Sequence, residues 1–109
     1  MSFDPDKIRE RLVELGDEWA DKKSAYNALD DLTKTVLADV MANYLPTSSS
    51  KAEAEMRSLI DKTYKEHLAA KAAARRAWLQ AEVRWSTGTL WAELRRSKES
   101  TLREEMRLR

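Results

Sequence analysis

The chain has 109 residues, 36% of them charged and 42% hydrophobic, with 2 Gly, 2 Pro and no Cys. That length suits one small domain, and the composition excludes disulfide scaffolds, cysteine-ligated zinc and cysteine nucleophiles. The net charge of +1 conceals an acidic half, with 6 Lys/Arg against 10 Asp/Glu in residues 1–50, and a basic half, with 14 against 9 in residues 51–109; the halves can pack against each other, the basic one can face a polyanion, and the two can coexist.

The opening Met1-Ser2-Phe3-Asp4-Pro5-Asp6 has neither the basic start nor the apolar run of a secretory leader, so a cytoplasmic protein is expected. No stretch approaches the roughly 20 apolar residues of a membrane span, and no membrane partner is expected. A helix is predicted over about 5–45. Asp4 suits the cap position, Pro5 the first turn, and Asp6 the positive end of the helix dipole. Ile8, Leu12, Leu15, Trp19, Tyr26, Leu29, Val36 and Val40, with Lys22 and Thr33 filling two gaps, alternate in steps of four and three, the seam of a helix packed on another helix. Leu32, Leu37, Met41 and Tyr44 widen that stripe toward its end. Gly16 costs helix propensity, and its small size beside Trp19 suits a close neighbour.

Pro46-Thr47-Ser48-Ser49-Ser50 forms the predicted turn over 46–50. Ser50 with Glu53 has the spacing of a capping box and starts a second helix. That helix is predicted to run over about 51–107 without a proline, through the Ala-rich stretch at 69–74, with a possible kink at Ser86-Thr87-Gly88-Thr89. Ile60, His67, Ala74, Trp78, Ala81, Trp85 and Ala92 share one face of it, and Leu79, Val83, Leu90 and Leu94 share another. One face packs on the first helix; the other calls for a second molecule. The fold class is therefore all-α: a single domain over 1–109 made of two long antiparallel helices, a helical hairpin, assembling into an oligomeric helical bundle or ring.

No enzyme is expected. His67 is the only histidine and has no accompanying nucleophile motif, so it reads as a packing residue. Asp30-Asp31 and Glu104-Glu105 point about 100° apart on a helix and do not converge on a metal; no catalytic, metal or cofactor site is assigned. Trp19, Trp78 and Trp85 fall on packing faces. Trp91 falls elsewhere, near Arg84, Arg95 and Lys98 by helical angle, which suits either an oligomer contact or base stacking with phosphate contacts. Lys71, Arg75, Arg76, Arg84, Arg95, Arg96 and Lys98 have only Glu82 and Glu93 as counter-charges within their span. The charged segment from Ser97 on is sparsely apolar, and it either frays or docks in an assembly.

Tyr64-Lys65-Glu66-His67-Leu68, Arg75-Arg76, Trp78-Leu79-Gln80-Ala81-Glu82-Val83-Arg84-Trp85 and Leu90-Trp91-Ala92 together resemble the long basic-aromatic helix of small phage proteins of the UvsY group of recombination mediators. The resemblance covers the second half of the chain. It implies helical subunits in a ring-like homo-oligomer that bind single-stranded DNA in the bacterial host cytoplasm. They would help load a recombinase where single-strand binding protein would block it. On that reading Lys71, Arg75, Arg76, Arg84, Arg95 and Lys98 track phosphates and Trp91 stacks a base. The reading from another class is a helical protein–protein interaction module (adaptor, assembly factor or inhibitor of a host protein) that binds no nucleic acid.

Overall fold

A computed structural model describes residues 4–108; residues 1–3, which belong to the question of a leader, and residue 109 lie outside them. The described residues form helices and no strand. Helix α1 spans Pro5–Tyr44, a short 3-10 turn spans Leu45–Thr47, α2 spans Lys51–Leu59 and α3 spans Lys62–Leu108.

Each helix start has a local cause. The Asp4 carboxylate accepts the Asp6 N–H at 3.0 Å, and the Asp4 carbonyl accepts the Ile8 N–H at 3.2 Å, so Asp4 caps α1 with Pro5 in the first turn. At the other end Pro46 cannot continue the α-helix. The hydroxyls of Thr47 and Ser48 donate to the Tyr44 carbonyl at 3.3 and 2.7 Å, serving an acceptor the helix leaves open. The Ser50 hydroxyl accepts the Glu53 N–H at 3.1 Å and caps α2. The Glu53 carboxylate reaches one residue beyond the usual box, accepting from the Ser49 N–H at 2.7 Å and from the Ser49 hydroxyl. Those bonds hold its carboxyl below the ordinary glutamate range.

The expected unbroken helix over 51–107 is corrected: it is two helices, parted at Ile60-Asp61. Asp61 supplies the reason. Its carboxylate accepts the Thr63 N–H at 2.8 Å and its carbonyl accepts the Lys65 N–H at 3.0 Å, so it starts α3 afresh. The Tyr44 hydroxyl donates to the same carboxylate at 2.5 Å. Ile60 is also corrected. Placed on the packing face by counting through a continuous helix, it is the C-cap of α2 and 69% exposed. Through Ser86–Thr89 α3 continues as helix without interruption.

The chain packs as two compact units. The first joins the start of α1, up to Ala20, with α3 from Leu79 onward. Here the helices run antiparallel. Trp19 stacks on Trp85 with ring centroids 5.2 Å apart and planes 19° from parallel, worth about 0.5–1.5 kcal/mol beyond the area buried. Leu15 and Ala81 are buried. The two glycines of the chain both belong here. A Cβ on Gly16 would meet Trp85 Nε1 at 3.3 Å, and one on Gly88 would meet Leu15 and Leu12 methyls at 3.1 and 3.3 Å. Gly88 therefore serves close packing within an intact helix.

The second unit spans Asp21–Trp78 and holds the rest of α1, all of α2 and the start of α3. Tyr26 stacks on Trp78 at 5.4 Å, with Lys23 Nζ 5.9 Å from the Trp78 ring centroid. The Thr33 hydroxyl lies 3.3 Å from the Leu29 carbonyl and is hydrogen-bonded to His67 Nε2 at 3.0 Å. His67 is thus a half-buried packing residue. Val40, Ala54 and Ser58 are buried, the Ser58 hydroxyl donating to the Ala54 carbonyl at 2.7 Å. The Arg57 guanidinium lies 4.6 Å from the Tyr44 ring centroid and donates to Thr47 and Ser48, tying α2 to the turn before it. Of the seam read along α1, only Lys22 is exposed; the other members are buried or half-buried within their own units.

Candidate nucleic-acid interface

The seven expected nucleic-acid residues separate into three groups. Lys71 and Arg84 are turned to the acidic helix. In the second unit Lys71 Nζ lies 2.7 Å from Asp30 Oδ1, with only 24% of its side chain exposed. Hydrogen bonding to Asp30 raises its pKa above the usual lysine value. In the first unit Arg84 Nη2 donates to Glu18 Oε1 at 2.6 Å. Both cations carry out the first of the two roles open to the basic half, pairing with the acidic half within one unit. Neither ion pair is fully buried, so each contributes modestly to stability.

Arg75 and Arg76 form the second group. They are exposed neighbours on α3 in the second unit, about 100° apart around the helix.

The third group is drawn together. In the first unit Trp91, Arg95 and Lys98 line one groove of about 440 Å³ with Leu94, Glu99 and Leu102. Their spacing of four and three residues keeps them on one face of α3. Trp91 is 60% exposed. The Arg95 guanidinium lies 5.7 Å from its ring centroid, within cation–π range. A planar aromatic face open to solvent, with a guanidinium against it and an ammonium on the next turn, can stack a base and meet the phosphates beside it. Glu99 is the one carboxylate in this lining and limits the positive charge to the Trp91–Lys98 end.

A second groove of the same unit, about 460 Å³, lies between the start of α1 and α3. Pro5, Ile8, Leu12 and Ala92 line it together with Arg9, Arg96, Arg103 and Glu99. Sequence spacing does not point to Arg9 or Arg103. Arg9 is masked by the acidic total of its half, and its approach to Arg96 depends on how two helices align, which spacing within one helix does not give. Among the described residues no group of three or more His, Asp or Glu comes together to hold a metal ion, and no helix is long and apolar enough to cross a membrane. Comparison with protein-family models, curated proteins and solved structures yields no match to this chain.

Proposed function

We propose that this chain binds single-stranded nucleic acid without sequence preference, as an accessory of the recombination-mediator kind that helps a recombinase onto the strand. The observation that carries this is the exposed Trp91 with Arg95 on its face and Lys98 in the same groove. Stacking on an aromatic contributes about 1–3 kcal/mol per base and tolerates any base. Cations beside it add salt-dependent phosphate contacts. The exposed Arg75 and Arg76 of the other unit supply further positive charge. Lys71 and Arg84 are left out of the binding set, because each already has a carboxylate at hydrogen-bond distance.

The test is anisotropy of a fluorescent single-stranded oligonucleotide at about 50 and about 200 mM salt, with duplex as comparator. The expected result is binding that weakens steeply with salt, prefers single strands, and is lost in Trp91→Ala with Lys98→Ala. No binding at the lower salt overturns the proposal. That outcome would favour the second reading, a helical protein-interaction module, for which the exposed aliphatic side chains of α3 speak.

A further inference from the structure

From Leu79 to Leu94, α3 carries a face with no charge on it. Leu79, Val83, Leu90 and Leu94 are 41%, 64%, 56% and 61% exposed. At about 100° per residue they fall within one narrow arc, and the only other side chains in that arc are the small Ser86 and Thr87. None of the six belongs to the seam that α3 turns toward α1. An acidic peptide or a phosphate backbone finds nothing to pair with on such a face. What complements it is another uncharged aliphatic face.

The spacing points to the occupant. The four aliphatic residues are separated by four, seven and four positions, a pattern that reads the same in both directions about the midpoint between Ser86 and Thr87. A two-fold contact requires this kind of self-complementarity, since whatever residue i meets on its partner, the partner must meet on it. We propose that this face binds a second copy of the same chain, the two α3 helices crossing antiparallel about Ser86-Thr87. Leu79 then lies against the second copy's Leu94 and Val83 against its Leu90. The hydroxyl pair at the centre is small enough to let the helix axes approach, and antiparallel helix dipoles attract. By helical angle Trp91 falls at the edge of the contact, beside Leu94, with which it shares a groove.

One flank opposes the pairing. In this register Glu82 of each copy comes near Glu93 of the other, so a like-charge pair occurs twice. Four side chains per copy bury less than a standard interface does, and with this repulsion the association is a weak one, read at high protein concentration. The repulsion also separates the proposal from a parallel pairing, in which Glu93 lies beside the second copy's Lys98 and is attracted.

Leu94 belongs both to this face and to the lining of the Trp91 groove, so the two surfaces adjoin, and the experiment reads them separately. Sedimentation is measured from about 10 µM to about 1 mM, well into the range of weak association, for the full chain, Val83→Lys and Glu93→Gln, with helicity followed by circular dichroism. The expected results are a dimer at the high end, at least about thirtyfold weaker in Val83→Lys with helicity kept. Glu93→Gln should bind about twofold to fivefold tighter. The natural chain has no cysteine, so single-cysteine variants report the register directly. Ser86→Cys should crosslink to itself on oxidation. Leu79→Cys should do so only when mixed with Leu94→Cys. A monomer throughout, a dimer indifferent to Val83→Lys, weakening in Glu93→Gln, or self-crosslinking of Leu79→Cys alone would each overturn the proposal. Oligonucleotide binding by Val83→Lys, whose substitution lies away from the Trp91 groove, shows separately whether that activity stands.

Discussion

Gly16 and Gly88 lie where α1 and α3 approach closely, yet alanine should act differently at the two. In both cases alanine gains about 1 kcal/mol of helix propensity. At Gly16 the new Cβ would stand 3.3 Å from Trp85 Nε1. That indole is stacked on Trp19, so shifting it costs part of the stack. Crowding of this kind costs about 1–3 kcal/mol, so Gly16→Ala should lose about 1 kcal/mol net. At Gly88 the obstacles are the methyl ends of Leu15 and Leu12, at 3.1 and 3.3 Å. Rotatable side chains yield by a few tenths of an ångström, and Gly88→Ala should change stability by less than about 0.5 kcal/mol. Urea unfolding of the two variants beside the parent checks the pair; equal stabilisation of both would mean the helices do not approach this closely in solution. The sequence shows that Gly16 is small and near Trp19. It does not show that Trp85 is the side chain above it, because spacing along one helix carries no register across to another.

At the scale of the elements, the starts of α1 and α2 are legible because their signals are clustered: Asp4 stands before Pro5, and a serine run precedes Glu53. The break between α2 and α3 is not. Asp61 has no Gly or Pro beside it, the helical phase runs on through it in the sequence, and its second bond comes from Tyr44, seventeen positions away. Gly88, by contrast, interrupts nothing: the helix continues through it, and it sits against Leu15 and Leu12. The Asp61 junction has a pH signature. Hydrogen bonding from Tyr44, with help from the Thr63 and Tyr64 N–H groups, holds the Asp61 carboxyl below the ordinary aspartate range. The same bond raises the Tyr44 phenol above the usual tyrosine value. A depressed carboxyl contributes stability that is fully present above its ordinary range and lost as pH falls through the depressed value. A raised phenol contributes stability present below its ordinary range and lost as pH rises through the raised value. The bond is therefore intact between the two, neutral pH included. Tyr44→Phe should lower the unfolding temperature at pH 7, and flatten the fall in that temperature between about pH 5 and about pH 2. Glu53, depressed by its Ser49 bonds, keeps a residual acid limb in the variant. Thermal melts of both proteins across that range decide the matter, and an unchanged acid limb would remove Asp61 from the account.

Across the whole molecule, the helical class, the α1 seam and the inward tryptophans follow from periodicity alone. Which cations stay available does not, since that depends on pairing between residues far apart in sequence. Lys71 and Asp30 are 41 positions apart and Arg84 and Glu18 are 66 apart, and each pair meets only once α1 and α3 lie side by side within a unit. The acidic and basic halves thus cancel in part, and what is left over differs in kind. A cation already bonded to a carboxylate gives up that bond to meet a phosphate and gains little; Lys98 has no such exchange to make, no ion pair to it being found among the described residues. A division of effects follows. Arg84→Ala should leave single-strand affinity within about twofold and the salt slope unchanged, while lowering stability by up to about 1 kcal/mol for an exposed pair. Lys98→Ala should leave stability unchanged and reduce the magnitude of the salt slope by about 0.7, the share of one phosphate contact on a single strand. Trp91→Ala should weaken affinity by about 1–3 kcal/mol with little change in slope, since stacking releases no counterions. Anisotropy at four salt concentrations, with unfolding midpoints measured in the same buffers, gives all three comparisons. A steep loss of slope in Arg84→Ala would return that residue to the strand path and show that its bond to Glu18 opens on binding.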